Sequence, residues 1–234
     1  SYITEDIHWH RAGPVLYAVL SIDDSEIESS PGRTPLQDAT LDAYDRIFRF
    51  LKERRTPHLW KLWTYMPGIN VETHGLERYR QFNIGRAEAF EIHKQSVEGN
   101  VPAACVLGTD GGTLTIAFMA SPLPAIPIEN PRQVSAFHYP DQYGPRKPLF
   151  ARAAVAQLNG RPNLFISGTA SIVGHETVHI GDVRAQADEC LNNIEALLLE
   201  VKRVDGTGFG FGDLAYRVYV RHEEDLEVIK EVVM

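Results

Sequence analysis

The stretch SGTASIVGHETVHIGDVRAQADECLNNIEALL, residues 167–198, decides the fold, because a strand end, a loop and a helix start follow one another in it. Upstream, Leu164, Phe165 and Ile166 form a short apolar run. It enters the small residues Ser167, Gly168, Thr169, Ala170 and Ser171, where a backbone can approach a ligand closely. Such a bend suits a pocket floor. Beyond it, Val183, Ala187, Cys190, Leu191, Ile194, Leu197 and Leu198 recur at three- and four-residue spacings, which puts them on one face of an amphipathic helix. Gly181 and Asp182 supply its N-terminal signal.

Working outward, residues 150–158 and 163–172 form a predicted hairpin around Asn159-Gly160. After the helix come a Gly-rich loop, DGTGFGFGD, a predicted strand over residues 214–221 and a last helix from about Glu223. The Gly206 to Gly212 repeat lacks the strand-before, helix-after context of a nucleotide fingerprint. In the first half, residues 15–22 (VLYAVLSI) read as a buried strand. Thr34, Pro35, Leu36 and Gln37 form a capping box with proline at the first helical position, starting a helix that runs to about Arg54. Residues 57–66 read as an aromatic-rich strand stopped at Pro67-Gly68. Trp60 and Trp63 on it are expected to be core or subunit contacts rather than substrate stackers. A second helix spans residues 76–94, and residues 103–107 and 113–120 are predicted to pair as a hairpin. Residues 121–148 carry seven prolines and little periodicity, so they are expected to be an irregular surface crossover; a loop this long is usually disordered or functional.

The 234 residues allow one large domain or two smaller ones. A formal charge of −8 argues against a general nucleic-acid or anionic-membrane binder. Only Cys105 and Cys190 are present, which fits a reducing, cytoplasmic compartment, and no apolar run approaches the ~20 residues needed to span a bilayer. The chain is therefore read as an α/β protein of two units, residues 1–120 and 149–234, joined by the crossover at 121–148. Each unit lays helices on one face of a mixed sheet.

Three motifs in order carry a resemblance: GLERYRQFNIGRAEAF (residues 75–90), ENPRQVSAFHYPDQYGPR (129–146) and the stretch at 167–198. Together they resemble the chorismatase family, and the likeness spans nearly the whole chain. The resemblance implies a scaffold of RidA-like units and removal of the enolpyruvyl group of chorismate, with no cofactor. Chorismate carries two carboxylates, so its pocket needs planar cationic donors, and arginine grips carboxylates better than lysine. Arg86, Arg146 and Arg152 are the candidates. Tyr139 and Tyr143 are candidates for phenolic hydrogen bonds and apolar faces against the ring, the alternative being loop anchoring. Gly168, Thr169 and Ala170, with Ser171, offer backbone donors and little bulk.

In the family, the residue after Ser-Gly-Thr separates subtypes: alanine accompanies hydrolysis and glycine accompanies hydroxybenzoate formation. A further subtype gives 3- and 4-hydroxybenzoate, so Ala170 leaves the product open. The expected activity is a chorismatase giving 3- and/or 4-hydroxybenzoate, of which this chain is expected to be an inactive truncated form, the alternatives being a hydrolytic enzyme giving a dihydroxycyclohexadiene carboxylate or a truncated RidA-like ligand-binding module without turnover. A RidA-type deaminase is disfavoured, since the 129–146 crossover has no place in its shorter pattern. The resemblance also places a catalytic glutamate, and in one subtype a cysteine, on a segment after the final helix. No such segment precedes Met234, so the catalytic acid is unassigned and the second unit is expected to lack its last strand. His175, Glu176 and His179 match the count of a zinc-protease motif, but their context contains glycine, no helical pattern and no obvious third ligand, so no metal is expected.

Overall fold

The computed structural model describes residues 2–233. The first half runs β1 (Tyr2–Thr4), β2 (Ile7–Ala12), β3 (Val15–Ile22), α1 (Pro35–Glu53), β4 (His58–Pro67), β5 (Glu72–Thr73), β6 (Leu76–Glu77), α2 (Arg78–Ile92), β7 (Ala103–Thr109) and β8 (Leu114–Ser121). The second half adds β9 (Ile126–Ile128), β10 (Ala153–Leu158), β11 (Arg161–Ile166), β12 (Ile172–Val173), β13 (Glu176–Thr177), α3 (Val183–Asp205) and α4 (Leu226–Val233).

Period-two alternation builds the larger sheet. Leu16, Ala18 and Leu20 of β3, Leu62 of β4 and Ile116 and Phe118 of β8 point to one face, where α1 and α2 cover them. Six strands lie in the order β1-β2-β3-β8-β4-β7, antiparallel except for β4 against β7. The predicted hairpin of β7 and β8 is thus corrected: β4 lies between them. Two strand spacings amount to about 9.6 Å, which a four-residue connection can span, so the turn signal does not distinguish direct pairing from pairing across an inserted strand.

Helix α1 starts on its capping box, with Thr34 Oγ1 accepting from Gln37 N at 3.2 Å and Gln37 Oε1 accepting from Thr34 N at 3.1 Å. Gly85 of α2 lies against it. A Cβ at that position would sit 2.3 Å from the Gln37 carbonyl oxygen, so only glycine permits this approach. With α1 on one side and the chain around Leu149 on another, α2 buries residues nearly all round, including Gln81, Asn83 and Arg86.

A smaller antiparallel sheet, β11-β10-β9, forms the second layer. Its hairpin turns at Asn159 (φ 52°) and Gly160 (φ 74°), the left-handed pair that a two-residue turn requires. Ala153, Val155, Leu164 and Ile166 face Leu197 and Val201 of α3, while Ala156, Leu158 and Phe165 pack toward Trp60 and Val15. Trp60 is fully buried and its Nε1 donates to the Leu123 carbonyl at 2.8 Å, so it anchors the two layers.

Two further expectations change. The crossover is not confined to the surface: it contributes β9 and buries Ile128, Asn130, Ala136 and Tyr139. Its backbone is satisfied in part by Val134 N donating to Gly174 O and Gly174 N to Arg132 O, both at 2.8 Å. Residues 214–221 form no strand, because no sheet edge pairs with them among the described residues. The helix, strand, helix order of the first half is therefore not repeated between α3 and α4.

Candidate functional site

The segment from Leu149 to Arg152 is the spine of the site. The Leu149 carbonyl accepts from the Arg86 guanidinium on α2. Two residues on, Ala151 N donates to Pro102 O at 3.0 Å, tying the segment to the edge of the larger sheet. Arg152 O accepts from Ser167 N at 3.0 Å, and Ser167 Oγ in turn accepts from Ala104 N at 2.9 Å. One extended segment thus connects a buried arginine of α2, a second arginine of its own and the small-residue loop.

Both arginines are deeply buried, Arg86 at 2% exposure and Arg152 at 5%. Arg86 lies over the Tyr44 and Phe90 rings, 5.4 and 5.6 Å from their centroids. Arg152 lies over Tyr139 and Phe150, and donates to Tyr139 Oη at 2.8 Å and Val134 O at 2.7 Å. In each, Nε is buried without an acceptor, and neither forms an ion pair among the described residues. Buried charges are normally paired, so two such guanidiniums are an unusual expense unless an anion joins them.

Their surroundings are polar and buried. Burial pushes the Tyr79 phenol up, while Arg86 opposes the shift and the Tyr139 and Arg152 charges also reach it. The Tyr44 phenol is likewise raised by burial against the pull of Arg86. Burial raises the Glu129 carboxyl too, with Ser135 and Arg152 drawing it back, and its Oε2 has no partner. Tyr139 packs on Tyr143 with centroids 5.2 Å apart, and Tyr143 Oη lies 3.1 Å from His175 Nδ1 and donates to His175 O at 2.7 Å. The crossover is thereby held to the turn between β12 and β13.

The loop itself is braced on several sides. Gly168 N donates to Ala104 O at 3.0 Å, and a Cβ there would meet Cys105 Cβ at 3.0 Å. Thr169 Oγ1 donates to Ser167 O, and Ser171 Oγ donates to Val178 O at 2.9 Å. Gly168 and Ala170 remain exposed. Lys61, 4% exposed on β4, donates from Nζ to Ile166 O at 2.7 Å, just before the loop. Burial lowers its ammonium to about 8, opposed slightly by Cys105, whose own thiol burial raises.

Of the sequence candidates, Arg86, Arg152, Tyr139 and Tyr143 come together, and Gly168, Thr169 and Ala170 border them through Ser167. Arg146 stands apart. It pairs with Glu91 at 2.7 Å on an exposed part of α2, an arrangement of little energetic consequence. His175 is engaged with Tyr143, and His179 Nε2 lies 3.7 Å from Glu189. Among the described residues no group of three or more His, Cys, Asp or Glu side chains is placed to hold a metal ion. No helix among them is long and apolar enough to cross a membrane. A concavity of about 590 Å³ lined by Trp9, Arg11, Arg54 and Arg55 shares no residue with the cluster.

Sequence reading misses Lys61, Tyr79, Asn83, Glu129 and the buried polar stripe of α3. On that helix the buried line is Glu189, Asn193, Leu197 and Val201, at four-residue spacing, whereas the expected Cys190, Leu191 and Ile194 are only half-buried. The available signal is that spacing: Glu189 and Asn193 precede Leu197 in strict register.

Residues 1–120 match the family model described as the N-terminal part of FkbO/Hyg5-like chorismatases. A chorismatase of Streptomyces hygroscopicus is 38% identical over 237 aligned residues, covering 97% of this chain and 65% of that protein. A 3-hydroxybenzoate synthase of the same organism is 37% identical, covering 97% of this chain and 69% of its own length. The fold superposes on a crystal structure of a chorismatase with a TM-score of 0.89 at 37% identity, over 99% of this chain and 69% of that one. The chain spans about two thirds of the length of these relatives.

Proposed function

The chain belongs to the chorismatase family, and from that premise we propose that it binds chorismate and removes the enolpyruvyl group as pyruvate, leaving 3- and/or 4-hydroxybenzoate. The observation that carries this reading is the pair of buried guanidiniums, Arg86 and Arg152, each with a free Nε and no carboxylate partner. Chorismate presents two carboxylates, and arginine forks match them. Arg152 would hold one and Arg86 the other. Tyr139, already oriented by Arg152, offers its ring to the cyclohexadiene, and Tyr143 closes the side toward His175. Backbone donors of the Gly168 to Ser171 loop complete the polar lining.

Chemically, a proton delivered to the methylene carbon of the enolpyruvyl ether makes that group a leaving group. Loss of pyruvate with aromatisation conserves the atoms of chorismate and gives a hydroxybenzoate. Addition of water instead gives a dihydroxycyclohexadiene carboxylate and pyruvate, and Ala170 is compatible with either outcome. No described residue is assigned as the proton donor. For the scaffold, we infer two RidA-like units, 1–120 and 149–234, joined by the crossover at 121–148. The family match to residues 1–120 and the presence of two sheets, one covered by α1 and α2 and one by α3, support this division. The free thiols Cys105 and Cys190 suit a reducing compartment such as the cytoplasm.

Incubation with chorismate, followed by chromatography and a pyruvate assay, tests the reading. Whatever chorismate is consumed is expected to yield equal amounts of pyruvate and hydroxybenzoate. A non-aromatic diol as sole product assigns the hydrolytic reaction, and saturable binding with no chorismate consumed would make this chain a binding module.

A further inference from the structure

Asn193 is fully buried in the middle of α3, among residues that otherwise pack the smaller sheet. Its Nδ2 donates to Ala170 O at 3.1 Å and to Ile172 O at 2.9 Å, so both amide hydrogens are spent on the loop that borders the site. From the other side, Asn130 Nδ2 donates to Asn193 O at 3.0 Å, and the crossover is thereby tied to the same turn of helix. The Asn193 Oδ1 has no partner. A buried amide with an idle oxygen is costlier than an apolar side chain of the same shape, so fold stability does not account for it.

Neither carbonyl depends on Asn193 for satisfaction. Ala170 O also accepts from Ile172 N at 2.8 Å, and Ile172 O also accepts from Gln133 Nε2 at 3.0 Å. What the amide adds is direction. A trans peptide unit carries its C=O and the next N–H on opposite sides, so drawing Ala170 O toward α3 turns the N–H of Ser171 away from it. Among the described residues, the N–H groups of Thr169, Ala170 and Ser171 have no acceptor. The Ser171 N–H, turned away from α3, is thus left free to donate to a ligand.

We propose that Asn193 is a positioning residue: by holding the Ala170 carbonyl, with Ile172 O as its second hold on the loop, it aims the idle backbone N–H of Ser171 at an anionic group of the ligand. This rests on the reading that the loop borders the chorismate site, and it deepens that reading by giving one carboxylate a backbone N–H donor in addition to an arginine.

The test uses the 234-residue chain and Asn193→Leu, which keeps the shape, deletes both donors and strands no carbonyl. Thermal melting, calorimetric titration with chorismate and the amide proton resonance of Ser171 are measured on both. The expected result is a melting temperature unchanged or raised in the variant, chorismate affinity at least tenfold weaker, and a ligand-induced downfield shift of the Ser171 amide present only in the parent. Equal affinity and the same amide shift in both proteins would overturn the role of Asn193 while leaving the site reading standing. If the folded parent shows no chorismate binding, the site reading fails and the proposal fails with it.

Discussion

Replacing Arg86 with methionine should make the protein more stable and its ligand site worse. The side chain is 2% exposed, carries a full charge, and receives only one carbonyl bond and two aromatic faces in return. Burying a guanidinium without a counter-ion costs several kcal/mol after relaxation. Against this stand about 1.5–3 kcal/mol for the charged hydrogen bond and about 0.5–2 for each ring. Methionine fills a similar volume with no charge, at the cost of leaving the Leu149 carbonyl without its guanidinium donor, so with the exchanged contacts at the lower end of these ranges the net gain is on the order of 1 kcal/mol. For a chain of this size that is a rise of roughly 2–4 °C in melting temperature. Chorismate affinity moves the other way. Losing one partner of a buried carboxylate–arginine pair costs about 2–5 kcal/mol, which is more than tenfold in Kd. Scanning calorimetry and titration calorimetry on Arg86→Met read the two effects separately. Unchanged affinity would remove Arg86 from the site, and a fall of several degrees in melting temperature would show that its charge is compensated within the protein.

Burial lowers Lys61 to about 8 from 10.5, so the unfolded chain binds a proton that the folded chain releases between those values, and stability should rise as pH goes from 8 to 10.5. Lys61→Met should be about 1–3 kcal/mol more stable at pH 7, after allowing for the lost bond to Ile166 O, and should lack that rise; an identical pH dependence in denaturant titrations would refute the buried-ammonium account. Gly85→Ala places a Cβ 2.3 Å from Gln37 O, so α1 and α2 must part, and a loss of about 1–3 kcal/mol is expected in thermal melts. An unchanged melting temperature would contradict the close approach. Because His175 is engaged with Tyr143 and His179 with Glu189, dialysis against a chelator should leave stability and chorismate binding unaltered; one equivalent of metal lost together with binding would overturn this.

Local chemistry made much of the fold legible. The Thr34–Gln37 capping box, the Asn159-Gly160 turn and the Asp182 cap, which accepts from Ala185 N at 3.0 Å, are each decided by residues within four positions of one another. Pairing order is not local. That β4 separates β7 from β8, and that the alternating residues 214–221 find no edge, depend on what lies beside a strand rather than on its own pattern. For the site, Arg86 and Arg152 are recognisable by residue type inside their motifs, yet Arg146 has the same type and context and ends in a surface ion pair. Lys61, Glu189 and Asn193 escape periodicity because that method scores polar residues as outward, and the positions that brace a site from behind are polar and inward.

The central claim is that the two buried guanidiniums await a dicarboxylate. Calorimetric titration of the native 234-residue chain with chorismate and, separately, with benzoate measures it most directly. The account predicts saturable one-site binding of chorismate, at least tenfold tighter than benzoate because only the dicarboxylate engages both Arg86 and Arg152. Equal affinities for the two ligands, or no heat from chorismate with a folded chain, would contradict it.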